Sequence, residues 1–91
     1  MIKTFRCSET ESLFNGARVR RFANIEAVAR RKLEMVAAAK NLEDLLSPPG
    51  NRLKALKGDR LGQHSIRVND QFRVCFRWNA GAENVEIVDY H

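Results

Sequence analysis

Gln71-Phe72-Arg73-Val74-Cys75-Phe76-Arg77-Trp78 alternates without interruption. Phe72, Val74, Phe76 and Trp78 fall on one side and Arg73, Cys75 and Arg77 on the other, the period of two that a half-buried strand requires. The same period precedes it in Gln63-His64-Ser65-Ile66-Arg67-Val68, where His64, Ile66 and Val68 share a face opposite Ser65 and Arg67. Asn69-Asp70 between the two runs is turn chemistry, so they are expected to form a hairpin. Asn79-Ala80-Gly81-Ala82-Glu83 reads as a second loop, and Asn84 to His91 as a closing strand.

Upstream of the hairpin the period is 3.6. Ser8-Glu9-Thr10-Glu11 has the form of a capping box, and a short helix carrying Leu13 and Phe14 inward is expected to stop at Asn15-Gly16. Asn24 is a candidate cap for a longer helix in which Ile25, Val28, Ala29, Leu33, Val36 and Leu42 recur at helical spacing. Ser47-Pro48-Pro49-Gly50 ends it, because two prolines remove backbone donors and fix φ. Met1-Ile2-Lys3-Thr4-Phe5-Arg6 reads as a strand start. The expected fold is α+β: a small, mostly antiparallel sheet of an N-terminal strand and three C-terminal strands, packed against two N-terminal helices.

The 91 residues suffice for one small domain spanning 1–91. A chain 44% hydrophobic and 30% charged fits a globular class, and no apolar run approaches a membrane span. The N-terminal residues lack the pattern of a secretory signal, so a cytoplasmic location and no membrane partner are expected. Cys7 and Cys75 stand far apart with no Cys or His at ligand spacing, which predicts free thiols, no metal site and no cofactor. Charge is unevenly placed. Residues 51–78 hold seven Lys/Arg against two Asp/Glu, whereas residues 79–91 hold none against three. A concentrated basic segment of this kind suits a polyanionic partner.

Hydrophobic matching sets the expected register of the last two strands. Placing Val85 and Ile87 beside Trp78 and Phe76 sets Glu86 across from Arg77 and Tyr90 across from Arg73. Tyr90 then joins Arg67, Arg73 and Arg77 on the face turned away from the helices. The terminal Val88-Asp89-Tyr90-His91 brings proton-exchanging groups to that cationic surface. Lys57, just before a tight Gly58-Asp59 turn, adds another cation.

Such a set suits metal-free phosphodiester cleavage in RNA. That reaction needs proton transfer from the 2′-hydroxyl and to the leaving 5′-oxygen, with cations on the phosphorane. The seven acidic residues after Asn41 form no evident pair for two metal ions. Arg73 and Lys57 can clamp a phosphate, and His91 has the side chain whose ordinary pKa lies nearest neutrality. Asp89 can orient His91 or a cation. His64, on the apolar side of its strand, is expected to be a hydrogen-bonded core histidine.

Three stretches taken in order, Pro48 to Arg60, Gly62 to Arg73 and Val85 to His91, resemble the HigB (host inhibition of growth) toxins of the RelE/ParE toxin superfamily. The resemblance implies a RelE-like fold and a ribosome-dependent endoribonuclease that cuts translated mRNA in the ribosomal A site and arrests growth. It implies Lys57, Arg73, Asp89, Tyr90 and His91 as catalytic residues. Lys54, Arg60, Arg67 and Arg77, all in the basic segment, are expected to be RNA-binding cations. It also implies a HigA-type helix-turn-helix antitoxin, through which alone the toxin meets operator DNA. Lys54 stands where some members carry His, and His64 where an aromatic is common. The alternative is a binding toxin without nuclease chemistry, such as a ParE-like gyrase poison or a ribosome-binding inhibitor. Arg18, Arg20, Arg21, Arg30, Arg31 and Lys32 form either a second footprint for ribosomal RNA or a solvated helix face.

Overall fold

The computed structural model describes residues 1–90. Two helices, α1 (Ser8–Phe14) and α2 (Glu26–Ala38), precede four strands, β1 (Lys54–Ala55), β2 (Gln63–Arg67), β3 (Phe72–Trp78) and β4 (Ala82–Asp89). The strands form one antiparallel sheet in the order β1-β2-β3-β4. The expected N-terminal strand is reduced to two parallel bridges, Ile2 to Ala82 and Phe5 to Val85, along the outer edge of β4. The edge N–H and C=O groups of β4 are thereby used: Lys3 N donates to Ala82 O at 2.7 Å and Val85 N to Thr4 O at 3.1 Å.

Both helices cover one sheet face, as the two periods require. Leu13, Phe22, Leu33 and Val36 meet Ile66, Val74, Phe76, Val85 and Ile87 in a single apolar cluster, all of them 0–1% exposed. Burial of each such side chain contributes ~1.5–3 kcal/mol before ordering costs. Thr10, also fully buried, accepts a 3.0 Å bond from Ile87 N through Oγ1, tying α1 to the middle of β4.

The helices depart from expectation at three points. Ser8 is the first helical residue rather than the cap: Cys7 precedes the helix and makes no side-chain cap bond, while its carbonyl accepts from Glu11 N at 3.1 Å. Asn24 lies within a 3-10 turn, Arg20–Ile25, and Ile25 stands at the cap position of α2. The long helix also divides. α2 ends at Ala38, Ala39 is extended, and Leu42 belongs to a separate 3-10 turn, Leu42–Leu46. The break has a local cause: Asp44 Oδ2 accepts from the Lys40 and Asn41 amides at 2.9 and 3.0 Å, offering the backbone an alternative to the next helical turn.

The hairpin between β2 and β3 forms as read from its turn residues. Asn69 Oδ1 accepts from Gln71 N at 2.9 Å and Phe72 N at 2.7 Å, a side-chain turn that fixes the connection. β3 and β4 pair otherwise than expected. Glu86 lies opposite Cys75 rather than Arg77, and Val88 rather than Tyr90 lies opposite Arg73. The strand begins earlier, at Ala82, and its pairing is irregular between Cys75 and Arg77, where Asn84 takes a left-handed φ of 54°. Thr4 Oγ1 takes the Asn84 amide at 2.8 Å, so the N-terminal segment supports this bulge. Beyond the bulge the shift is two residues. A slip of two preserves faces, and Tyr90 remains on the side of Arg73.

Candidate functional site

The sheet face away from the helices collects Gln63, Ser65 and Arg67 from β2, Arg73, Cys75 and Arg77 from β3, and Glu86 and Val88 from β4, with Tyr90 beyond. Tyr90 is held by its backbone: its N–H donates to Gln71 O at 2.6 Å. The guanidinium carbon of Arg73 lies 5.1 Å from the centre of the Tyr90 ring, a cation–π contact on the diagonal of the register. Arg73 Nη1 is buried without a hydrogen-bond partner among the described residues. A buried donor of this kind costs free energy until an acceptor reaches it, and an anion is one such acceptor. Directly opposite Arg73 stands Arg67, whose own guanidinium pairs with Asp70.

Arg60 reaches the same face from the Gly58–Arg60 turn. Its Nη1 donates to Glu86 Oε1 at 3.0 Å and to Gln63 Oε1 at 3.1 Å. The bond to Glu86 raises the Arg60 pKa, with smaller contributions from Cys75 and Tyr90, so Tyr90 lies within electrostatic reach of Arg60. Cys75 is fully buried among these charged side chains, and burial pushes its thiol up to about 11. It is a packed hydrophobe and not a nucleophile.

The other expected residues are placed as follows. Lys57 is exposed and precedes the Gly58–Arg60 turn, next to Leu56, whose N–H donates to Gln63 O at 2.9 Å. Lys54 is exposed on β1, opposite Ser65. Arg77 extends back over Gly62, whose φ is +92°; a Cβ there would meet Arg77 Nη1 at 2.6 Å. The loop before β2 needs glycine at this position for its conformation, whereas the flexible Arg77 side chain can swing aside from a Cβ. Asp89 lies opposite Phe72 and accepts from Gln71 Nε2 at 2.9 Å. His91, the remaining expected catalytic residue, lies outside the described residues. His64 stacks on Phe76 with ring centres 6.3 Å apart, on the helix side as expected, but its Nδ1 is buried without the expected hydrogen bond among the described residues.

Two groups escaped sequence reading. Glu86 was expected to face Arg77 and instead holds Arg60, and Gln63 completes that contact. The contact spans 26 residues of chain, a separation that no periodicity reports. On the edge of α2, Lys32 Nζ bonds the buried Asn51 Oδ1, and its pKa is lowered by burial and by Arg31 and Arg67. Lys32 is therefore a structural cation as well as a surface charge.

An open, arginine-rich sheet face backed by two helices, with a tyrosine pinned at its end, is consistent with an α+β domain of the RelE-like fold. Comparison with known proteins agrees. The family model for the RelE-like toxin of type II toxin-antitoxin system HigB matches residues 4–91. Toxin HigB-1 of Vibrio cholerae is 44% identical over 69 residues, covering 76% of this chain and 73% of that protein. An uncharacterised protein of Haemophilus influenzae is 38% identical over 69 residues, covering 76% of this chain and 68% of its own. The chain belongs to the HigB-like family of type II toxin-antitoxin toxins, and an antitoxin is its implied partner. No helix among the described residues is long and apolar enough to cross a membrane.

Proposed function

We propose that the protein is a ribosome-dependent mRNA endoribonuclease that cuts translated mRNA in the A site and so arrests growth. The observation that carries this reading is Arg73: a half-buried guanidinium braced on the Tyr90 ring, with one nitrogen that has no hydrogen-bond partner among the described residues. In the proposed reaction the ribose 2′-oxygen attacks phosphorus, the 5′-oxygen leaves, and a 2′,3′-cyclic phosphate remains. Arg73 neutralises charge developing on the phosphorane, and Lys57 supplies a second cation from the neighbouring turn. Tyr90 and His91 carry the proton transfers, with Asp89 orienting the terminus. No metal or cofactor takes part in this scheme.

Dependence on the ribosome follows from the openness of the face. Alignment of 2′-oxygen, phosphorus and leaving oxygen is worth ~7–11 kcal/mol, and a shallow sheet surface does not impose it on flexible RNA. The mRNA is therefore presented in position by the ribosome, to which Lys54, Arg67 and Arg77 add sequence-independent attraction. The whole chain acts as one domain in the cytoplasm. Its antitoxin is a HigA-type helix-turn-helix protein that carries any contact with operator DNA.

The test is cleavage of mRNA on programmed ribosomes against the same mRNA naked. Cutting on ribosomes alone is expected. Equal cutting of both, or of neither, overturns the proposal, and growth arrest that survives Tyr90→Ala in a folded protein favours a non-nucleolytic toxin instead.

A further inference from the structure

Glu86 is a carboxylate on a face otherwise dominated by arginine, and a surface that binds phosphate has no electrostatic use for it. Its side chain is 15% exposed and its partner Arg60 33% exposed, with 3.0 Å between them. The same Arg60 nitrogen also bonds the buried Gln63. Arg60 closes a three-residue turn whose own backbone bonds are short-range: Arg60 N to Lys57 O at 3.2 Å and Leu61 N to Gly58 O at 3.0 Å. Lys57, Gly58 and Asp59 are all exposed. A turn so small has little packing to fix its height above the sheet, whereas the Arg60 side chain reaches across the strands from β2 to β4.

We propose that Glu86, aided by Gln63, is a positioning residue: by holding Arg60 against β4 it fixes the Gly58–Arg60 turn and so the place from which Lys57 meets the phosphate bound by Arg73. Arg60 is then a brace and not an RNA clamp, and its charge cancels that of Glu86 on the substrate face. The catalytic consequence rests on the nuclease reading above; the mechanical one does not. A misplaced cation costs rate more than it costs binding, because its effect is largest where charge develops in the transition state.

Two measurements on Glu86→Ala test this, with Glu86→Gln as the conservative variant that keeps an acceptor oxygen in place. Amide exchange at Arg60 and Leu61 is expected to quicken about tenfold while Leu33 and Val36 in α2 stay unchanged. In cleavage on programmed ribosomes, kcat is expected to fall about tenfold with KM within about twofold, and Glu86→Gln to recover most of both losses. If Arg60 were an RNA clamp restrained by Glu86, Glu86→Ala would release it, lowering KM at undiminished kcat. That result, unaltered exchange, faster exchange with unaltered kcat, or no recovery in Glu86→Gln overturns the proposal. Wild-type protein that leaves ribosomal mRNA intact refutes the nuclease reading separately, and the exchange data still decide whether the brace exists. Should Glu86→Ala fail to fold, Arg60→Met removes the brace from its other end and is read in the same assays.

Discussion

Arg73→Met should separate activity from stability. The substitution keeps an unbranched apolar stem and removes the guanidinium. On the stability side, three contributions nearly cancel. Loss of the Tyr90 contact, 5.1 Å from ring centre to guanidinium carbon, costs about 0.5–1 kcal/mol. Relief of the like-charge pairing with Arg67 directly opposite returns about 0.2–1 kcal/mol. Removing a buried Nη1 that has no hydrogen-bond partner among the described residues is also favourable. The net change should lie within about 1 kcal/mol of zero, so Tm should stay within about 4–8 °C of wild type. Cleavage on programmed ribosomes should nevertheless fall about 10²–10³-fold, the loss associated with one transition-state charge donor. Thermal unfolding followed by circular dichroism and single-turnover cleavage give the two numbers. Cutting within about threefold of wild type would refute the role given to Arg73, and a fall in Tm well beyond this range would show it to be a structural residue.

Asn51→Ala should be the most destabilising of the single changes considered, since Asn51 is fully buried, donates to Leu45 O at 3.2 Å and accepts from Lys32. A loss of about 2 kcal/mol, seen as a Tm lower by about 8–16 °C, is expected. The Asp44 carboxyl is held below its ordinary pKa first by the Asn41 amide and then by that of Lys40. Its contribution is present above the unfolded pKa of about 3.9 and is lost as pH falls through the lower folded value. Asp44→Asn should therefore lower Tm at neutral pH and flatten the acid side of the Tm profile. With an alkylating reagent at pH 8, native protein should label at half-buried Cys7 well before buried Cys75, whose thiol burial pushes up to about 11; mass spectrometry of native and denatured samples checks the order.

Much of the site was legible because strand periodicity is a local property. Arg73 and Tyr90 were placed together from alternation and hydrophobic matching of the two strands, and the ring contact bears that out although the register was wrong by two residues. The error carries no penalty in face assignment, which explains how a mistaken pairing still gave the right neighbours. Glu86 shows the limit. Its face was right, yet its partner was not, because the partner comes from the turn at Arg60 rather than from the adjacent strand. Likewise the spacing of Leu42 continued the pattern of α2, while Asp44 competed for the amides that a continuing helix needed.

The order of residues by itself determined the layers, the sidedness of β2, β3 and β4 and the cationic character of the exposed face, since these depend on the nearest few positions along the chain; the short β1 was not among the expected strands. Only the folded molecule decided the strand register, the bulge at Asn84 held by Thr4, and the reach of Arg60 to Glu86. Those features join segments distant in sequence, and alternatives differing by two residues satisfy the same hydrophobic pattern. Only the packing of the complete core and the pairing of its buried polar groups select among them.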